Sequence, residues 1–192
     1  MRKNMPEATV VPDWPAPSRV HALTTTRHLP GNSPPPYDAF NLGLRSGEDI
    51  ETVRANRALL DRAFALPQSP RWLQQVHGDR VLRMTVEVPE GEPQADAAFT
   101  SESGVVLAIQ TADCLPILLC ADDGSEIAAI HAGWRGLAGG VIEACVRRLA
   151  TPASRLLAWL GPAIGPPSYE VGEEVRTAFI SQSADAAAAW VP

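Results

Sequence analysis

The segment from Ile109 to Gly136, IQTADCLPILLCADDGSEIAAIHAGWRG, constrains the fold more than any other part of the chain. Two apolar runs, Leu115 to Cys120 and Ile127 to His131, have the length and composition of strands. The short turn Asp122-Asp123-Gly124 between them predicts that they pair side by side. A glycine-rich stretch, Gly133 to Gly140, then opens a helix expected to end near Ala150. A core strand has no need of Asp, Cys and His at its ends. This segment sets Asp113 and Cys114 before the first strand and His131 at the end of the second. Strand ends gather on sheet rims, where ligand sites are usually built, and pairing would bring Cys114 and His131 onto adjacent strands.

The rest of the chain reads as interleaved strands and helices. Strands are expected over Arg19 to Thr26, Trp72 to His77, Val81 to Val88, Val105 to Gln110 and Leu156 to Leu160. Pro34, Pro35 and Pro36 forbid a helix and predict a long loop, LPGNSPPPYDAFNLG. Ser46-Gly47-Glu48-Asp49 resembles a capping box and predicts a helix from Ser46, with Ile50, Val53, Leu60 and Phe64 near helical spacing. A further helix is expected over Glu173 to Ile180, and the run Ala186 to Ala189 reads as a frayed or helical tail. No repeat and no flexible linker is visible, so 1–192 reads as a single domain.

Composition narrows the function classes. With 45% apolar and 20% charged residues, a chain of 192 residues can bury a sizeable core. A net charge of −6 without any Lys/Arg run sets nucleic acid aside. Three cysteines, Cys114, Cys120 and Cys145, lack scaffold spacing and point to a reducing compartment with free thiols or a metal. MRKNMPEATVVPDW has no signal-peptide apolar run, and no stretch approaches the roughly 18 apolar residues of a membrane span. A cytoplasmic location is expected.

Four histidines are available: His21, His28, His77 and His131. His77, in QQVHGDR, and His131 each end an apolar run, and Cys114 begins one. Two imidazoles and a thiolate suit a three-ligand zinc site with a fourth position open, which lowers the pKa of bound water to about 7. The spacing alone leaves other readings open. Cys114 is equally compatible with a buried thiol beside ordinary histidines. It also suits a thiolate–imidazolium pair with His131 as base. Asp113, next to Cys114, would point to the opposite face of a strand and reads as a cap or turn residue. Arg135 beside the glycine-rich helix start, and Asn41 and Arg45 in AFNLGLRSG, are candidate holders of an anion. Tyr37 or Phe40 could stack on a planar ring, or simply pack their own loop.

The motifs TTTR, PPYDAFNLGL, ANR, QQVHG, ADAAFT, TADCLPILL, HAGWRGL and GPAIGPPSYEVG follow one another from Thr24 to Gly172. Together they resemble the laccase-domain, or YfiH-type, family, first described as multicopper polyphenol oxidases. The resemblance implies a layered α+β sandwich of mixed sheets with outer helices. It implies a zinc-dependent purine nucleoside phosphorylase that also deaminates adenosine and cleaves methylthioadenosine, with purine nucleosides and phosphate as partners. By the same resemblance His77, Cys114 and His131 are the metal ligands. Family members are expected to carry a further C-terminal strand and segment beyond the point where this chain ends. Alternatives remain. Copper competes with zinc at N/S sites, although four histidines without an H-x-H pair are too few for a multicopper oxidase. A Cys–His hydrolase and a zinc-binding protein without turnover are the others.

Overall fold

The computed structural model describes residues 8–190. In chain order the elements are β1 (Thr9–Val10), β2 (Thr24–Thr25), α1 (Ile50–Ala63), β3 (Val81–Arg83), β4 (Ala97–Thr100), β5 (Leu115–Ala121), β6 (Ile127–Ala132), α2 (Trp134–Gly139), α3 (Val141–Arg148), β7 (Leu156–Leu160) and α4 (Glu173–Ile180). β1 and β2 form an antiparallel ribbon. The other strands form one mixed sheet in the order β3-β4-β6-β5-β7, in which only the β3–β4 pair is parallel. The class is α+β, as expected.

The β5–β6 hairpin is the centre of the sheet, and the sequence accounts for it. Gly124 takes φ 72° in the turn, where a side chain is disfavoured, and its N–H donates to Ala121 O at 2.8 Å. Strand alternation then sends Ile117, Leu119, Ile130 and Phe99 to one face, where they pack with Val141 and Cys145 of α3. Ala98 faces the other way, onto Leu73, Met84, Ala95 and Val105. Ile130 is completely buried, which stabilises the fold by roughly 1.5–3 kcal/mol.

The structure corrects several boundaries. α1 begins at Ile50, capped by Asp49, whose carboxylate accepts from Thr52 N at 2.8 Å; Ser46 is a loop residue whose hydroxyl donates to Gly43 O. The expected strand over Arg19 to Thr26 shrinks to two residues, and that over Val81 to Val88 to three. The strands expected over Trp72 to His77 and Val105 to Gln110 do not form: these stretches are joined to neighbours by isolated bridges, Arg71 to Leu107 and Gln74 to Gln94, and His77 takes φ 60°. The single helix expected after Gly133 is two, because Gly140 sits at φ 85° and breaks it. β7 and α4 have the expected bounds, and Ala184–Ala189 is a 3-10 helix. Among the described residues no helix is long and apolar enough to cross a membrane.

The proline loop is tied down by one buried amide. Asn56 of α1 is fully buried. Its Nδ2 donates to Ser33 Oγ (2.8 Å) and Asn41 O (2.9 Å), while its Oδ1 accepts from Asn32 N (2.8 Å). A second polar tie is Glu126, at the start of β6. Its carboxylate accepts from Ala150 N (3.2 Å), Thr151 N (2.8 Å) and Thr151 Oγ1 (2.8 Å), joining the end of α3 to the hairpin. Burial acts to raise the Glu126 pKa, but the bonds from Thr151 and Ala150 outweigh it and hold the group below its ordinary 4.5. Glu126→Ala is therefore expected to cost about 1–3 kcal/mol at neutral pH, read from denaturant midpoints. A depressed folded-state pKa gives stability that is present above pH 4.5 and lost as pH falls through the lowered value. The gap between the two proteins should thus narrow in acid. A gap that widens there would contradict this assignment.

Candidate metal centre

His77, Cys114 and His131 come from three separate segments, and the fold brings them together. Pro116 pairs with His131 across β5 and β6, so Cys114, just before β5, lies beside the end of β6. Gly78 and its neighbours pack on α2 so closely that a Cβ on Gly136 would lie 2.8 Å from Gly78 O. That contact carries His77 over the same strand end. The three possible ligand atoms lie within 4.8 Å of one another. Cys114 Sγ is 3.8 Å from His77 Nε2, and the two imidazole rings meet edge to face with centroids 4.8 Å apart. His131 is buried, Cys114 half-buried and His77 exposed, so the cluster opens to solvent on the His77 side.

The donor set fits a metal. Two nitrogens and one sulfur are the ligand types zinc and other late first-row metals take, and three protein ligands leave a position open. The space between the ligands is kept by Gly133: a Cβ there would stand 2.7 Å from His77 Cδ2 and 3.0 Å from Cys114 Sγ.

Asp96 is the residue the sequence analysis missed. It is fully buried immediately before β4. Its carboxylate accepts from the N–H groups of Val76 (3.2 Å), His77 (2.8 Å) and Gly78 (2.8 Å), and lies 2.9 Å from His131 Nδ1. Burial works against its charge, yet the bonds from His131, Gly78, Val76 and His77 hold its pKa below the usual carboxylate value. The available signal was an Asp inside the apolar run ADAAFT, since a buried charge must have partners.

Cys114 behaves oppositely. Burial, then the negative charges of Asp113 and Asp96, push its thiol pKa up. A nucleophilic cysteine needs the reverse shift. A bound cation removes a thiol proton outright, so this setting suits a metal ligand better than a free thiolate. All three cysteines are free thiols. Cys120 and Cys145 are buried in the core, and burial pushes the Cys145 thiol up to about 12.

The candidate anion holders are dispersed over other duties. Asn41 donates to Ser46 Oγ (2.6 Å) and Glu48 Oε2 (2.8 Å) and accepts from Gly43 N (3.0 Å), so its amide shapes the loop. Arg45 pairs with Glu92, which also takes Arg57 at 2.6 Å. Arg135, four residues beyond His131, is exposed and lies over its neighbour Trp134 at 4.2 Å. Tyr37 donates to Ser46 O at 2.9 Å, and Phe40 is buried with Leu29 and Leu60. Asp113 is exposed, and its carbonyl accepts from Ile164 N at 2.9 Å.

The chain is similar to known proteins in sequence and in fold. The chain is 50% identical over 182 residues to the purine nucleoside phosphorylase YfiH of Shigella flexneri, covering 95% of this chain and 74% of the relative. A purine nucleoside phosphorylase of Xylella fastidiosa is likewise 50% identical, over 193 residues, at 96% and 74% coverage. Among solved structures, the Neisseria meningitidis protein NMB0706 superposes with a TM-score of 0.91 at 40% identity, over 97% of this chain and 75% of that one. YlmD from Geobacillus stearothermophilus gives 0.74 at 30% identity, over 90% and 64%. The family model described as multi-copper polyphenol oxidoreductase laccase matches residues 21–192, and the chain belongs to that family.

Proposed function

We propose that this chain is a zinc-dependent purine nucleoside phosphorylase whose metal is held by His77, Cys114 and His131, and that it also deaminates adenosine and cleaves methylthioadenosine. The observation that carries the reading is the 50% identity, across 95% of the chain, to a protein named purine nucleoside phosphorylase, combined with the His-Cys-His cluster. A zinc ion held there would supply Lewis-acid polarisation beside the substrate. The opening on the His77 side supports approach of a substrate from that direction.

In phosphorolysis, phosphate attacks the ribose C1′ and the purine departs with the bonding electrons. The residues must hold a dianion close to the sugar and keep it oriented. Of the three candidates Arg135 comes first, because it is exposed four residues beyond His131 and lies over Trp134, whereas the Arg45 side chain is tied to a carboxylate. Arg45 and Asn41 are the next candidates for holding the anion. Deamination exchanges the C6 amine for water and requires no phosphate.

The test is phosphate-dependent release of hypoxanthine from inosine, run beside ammonia release from adenosine on the same metal-loaded sample. Turnover in neither assay would reject the reading. Metal analysis of protein purified without added metal decides between zinc and copper. Arg135→Ala is expected to weaken phosphate use by about 10- to 100-fold, the loss of one charge-assisted contact, while deamination and metal content fall far less. Equal loss of both activities would make Arg135 a packing residue of the turn.

A further inference from the structure

The two oxygens of Asp96 carry different loads. Oδ1 accepts from His77 N and faces His131 Nδ1; Oδ2 accepts from Val76 N and Gly78 N. The backbone carbonyl of the same residue accepts from His131 N at 2.7 Å. We propose that Asp96 is a positioning residue that aims both histidines at the metal. It fixes His131 as the Nδ1–H tautomer, and it holds the turn that presents His77. The inference rests on the metal reading of His77, Cys114 and His131, and not on the purine chemistry.

Two physical arguments support it. A neutral imidazole carries one N–H, and an ionised carboxylate can only accept. With Asp96 facing Nδ1, the ring proton stays on Nδ1 and the lone pair is left on Nε2, the nitrogen free to bind a metal. His77 is one of only two non-glycine residues with positive φ among those described, at 60°. A residue held there costs about 1–3 kcal/mol and persists only where its surroundings impose it. Three successive N–H groups converging on one buried carboxylate are such an imposition. One side chain thereby couples two ligands 54 residues apart in sequence (77 to 131).

Asp96→Asn keeps the shape and exposes the logic. If the amide nitrogen takes the place of Oδ1, it opposes the His77 N–H and forces His131 Nδ1 to accept, which moves the ring proton to Nε2. If it takes the place of Oδ2, it opposes the N–H groups of Val76 and Gly78 and loosens the His77 turn. Either placement disables one ligand.

The experiment has two arms. Long-range proton–nitrogen NMR of the metal-free wild type, at about pH 8.5 where an ordinary imidazole is neutral, reads the His131 tautomer directly. Titration with Co²⁺, followed by the thiolate-to-cobalt absorption band, reads affinity. The expected results are an Nδ1–H pattern for His131 in the wild type and cobalt binding at least about 10- to 100-fold weaker in Asp96→Asn. Glu126→Ala, which removes another buried carboxylate that accepts backbone N–H groups, should lose stability yet keep cobalt affinity. An Nε2–H pattern in the wild type would overturn the inference, and that arm stands even if Asp96→Asn does not fold. Wild-type affinity in a folded Asp96→Asn, or equal weakening in Glu126→Ala, would overturn it as well. Absence of any cobalt band in the wild type would instead reject the metal reading, and the inference with it.

Discussion

Cys114→Ala is expected to leave a folded protein that no longer holds a metal. The three candidate ligand atoms lie within 4.8 Å, so the loss of one leaves two, too few to hold an ion against water. Binding free energies of about 10–16 kcal/mol for four-ligand zinc sites share out to roughly 2.5–4 kcal/mol per ligand, or two to three decades in Kd. Cys114 is the cleanest of the three to remove. It is half-buried, and its Sγ faces His77 Nε2 at 3.8 Å. His131→Ala should lose the metal equally, but at a further cost, because it strips a partner from the buried Asp96. The two variants should therefore match in metal stoichiometry and differ in metal-free melting temperature, with His131→Ala the lower. His21 and His28 are exposed, and their alanine variants should keep the metal. Stoichiometric metal in Cys114→Ala would end the three-ligand assignment.

Gly133→Ala should separate metal binding from stability even more sharply. The backbone of Gly133, at φ −67° and ψ 157°, is open to any residue, so alanine adds no backbone strain. Alanine there would ordinarily stabilise slightly by restricting the unfolded chain. The obstacle is space: the new methyl would stand 2.7 Å from His77 Cδ2 and 3.0 Å from Cys114 Sγ. Ordinary carbon contacts begin near 3.5 Å, so the imidazole must retreat by nearly 1 Å. Metal sites tolerate about 0.2 Å. His77 has little freedom to follow, because its turn is bonded to Asp96. The expected result is a melting temperature of the metal-free protein within a few degrees of wild type, with metal affinity reduced at least about tenfold. Unchanged affinity by competition with a chromogenic chelator would show that the ligands do not close on this space.

The legibility of this fold follows the range of the interactions. The β5–β6 hairpin was readable because its strands are adjacent, apolar and joined by a glycine turn, and with it came the meeting of Cys114 and His131. β7 and α4 were readable from local pattern alone. β4 was not: Ala97 to Thr100 is buried on both faces, so it shows no alternation, and its four small or aromatic residues are too short a run to stand out. The strands expected around residues 72–77 and 105–110 do not form, because each stretch finds a partner only at single bridges contributed by distant segments. The start of α1 was misread because Ser46 and Asp49 are both sound caps, and only the bond from Thr52 N distinguishes them. Arg45 looked free in sequence, and its partner Glu92 lies 47 residues away. Asp96 was hidden for the same reason, since its partners come from 76–78 and from His131.

X-ray absorption at the edge of whichever metal co-purifies with the protein tests the central claim most directly, because it counts scatterers without assuming an activity. The account predicts one sulfur near 2.3 Å and two imidazole nitrogens near 2.0–2.1 Å. It also predicts that the sulfur shell disappears, with any residual metal, in Cys114→Ala. A first shell with nitrogen and oxygen alone, or a sulfur shell that survives that substitution, would contradict it.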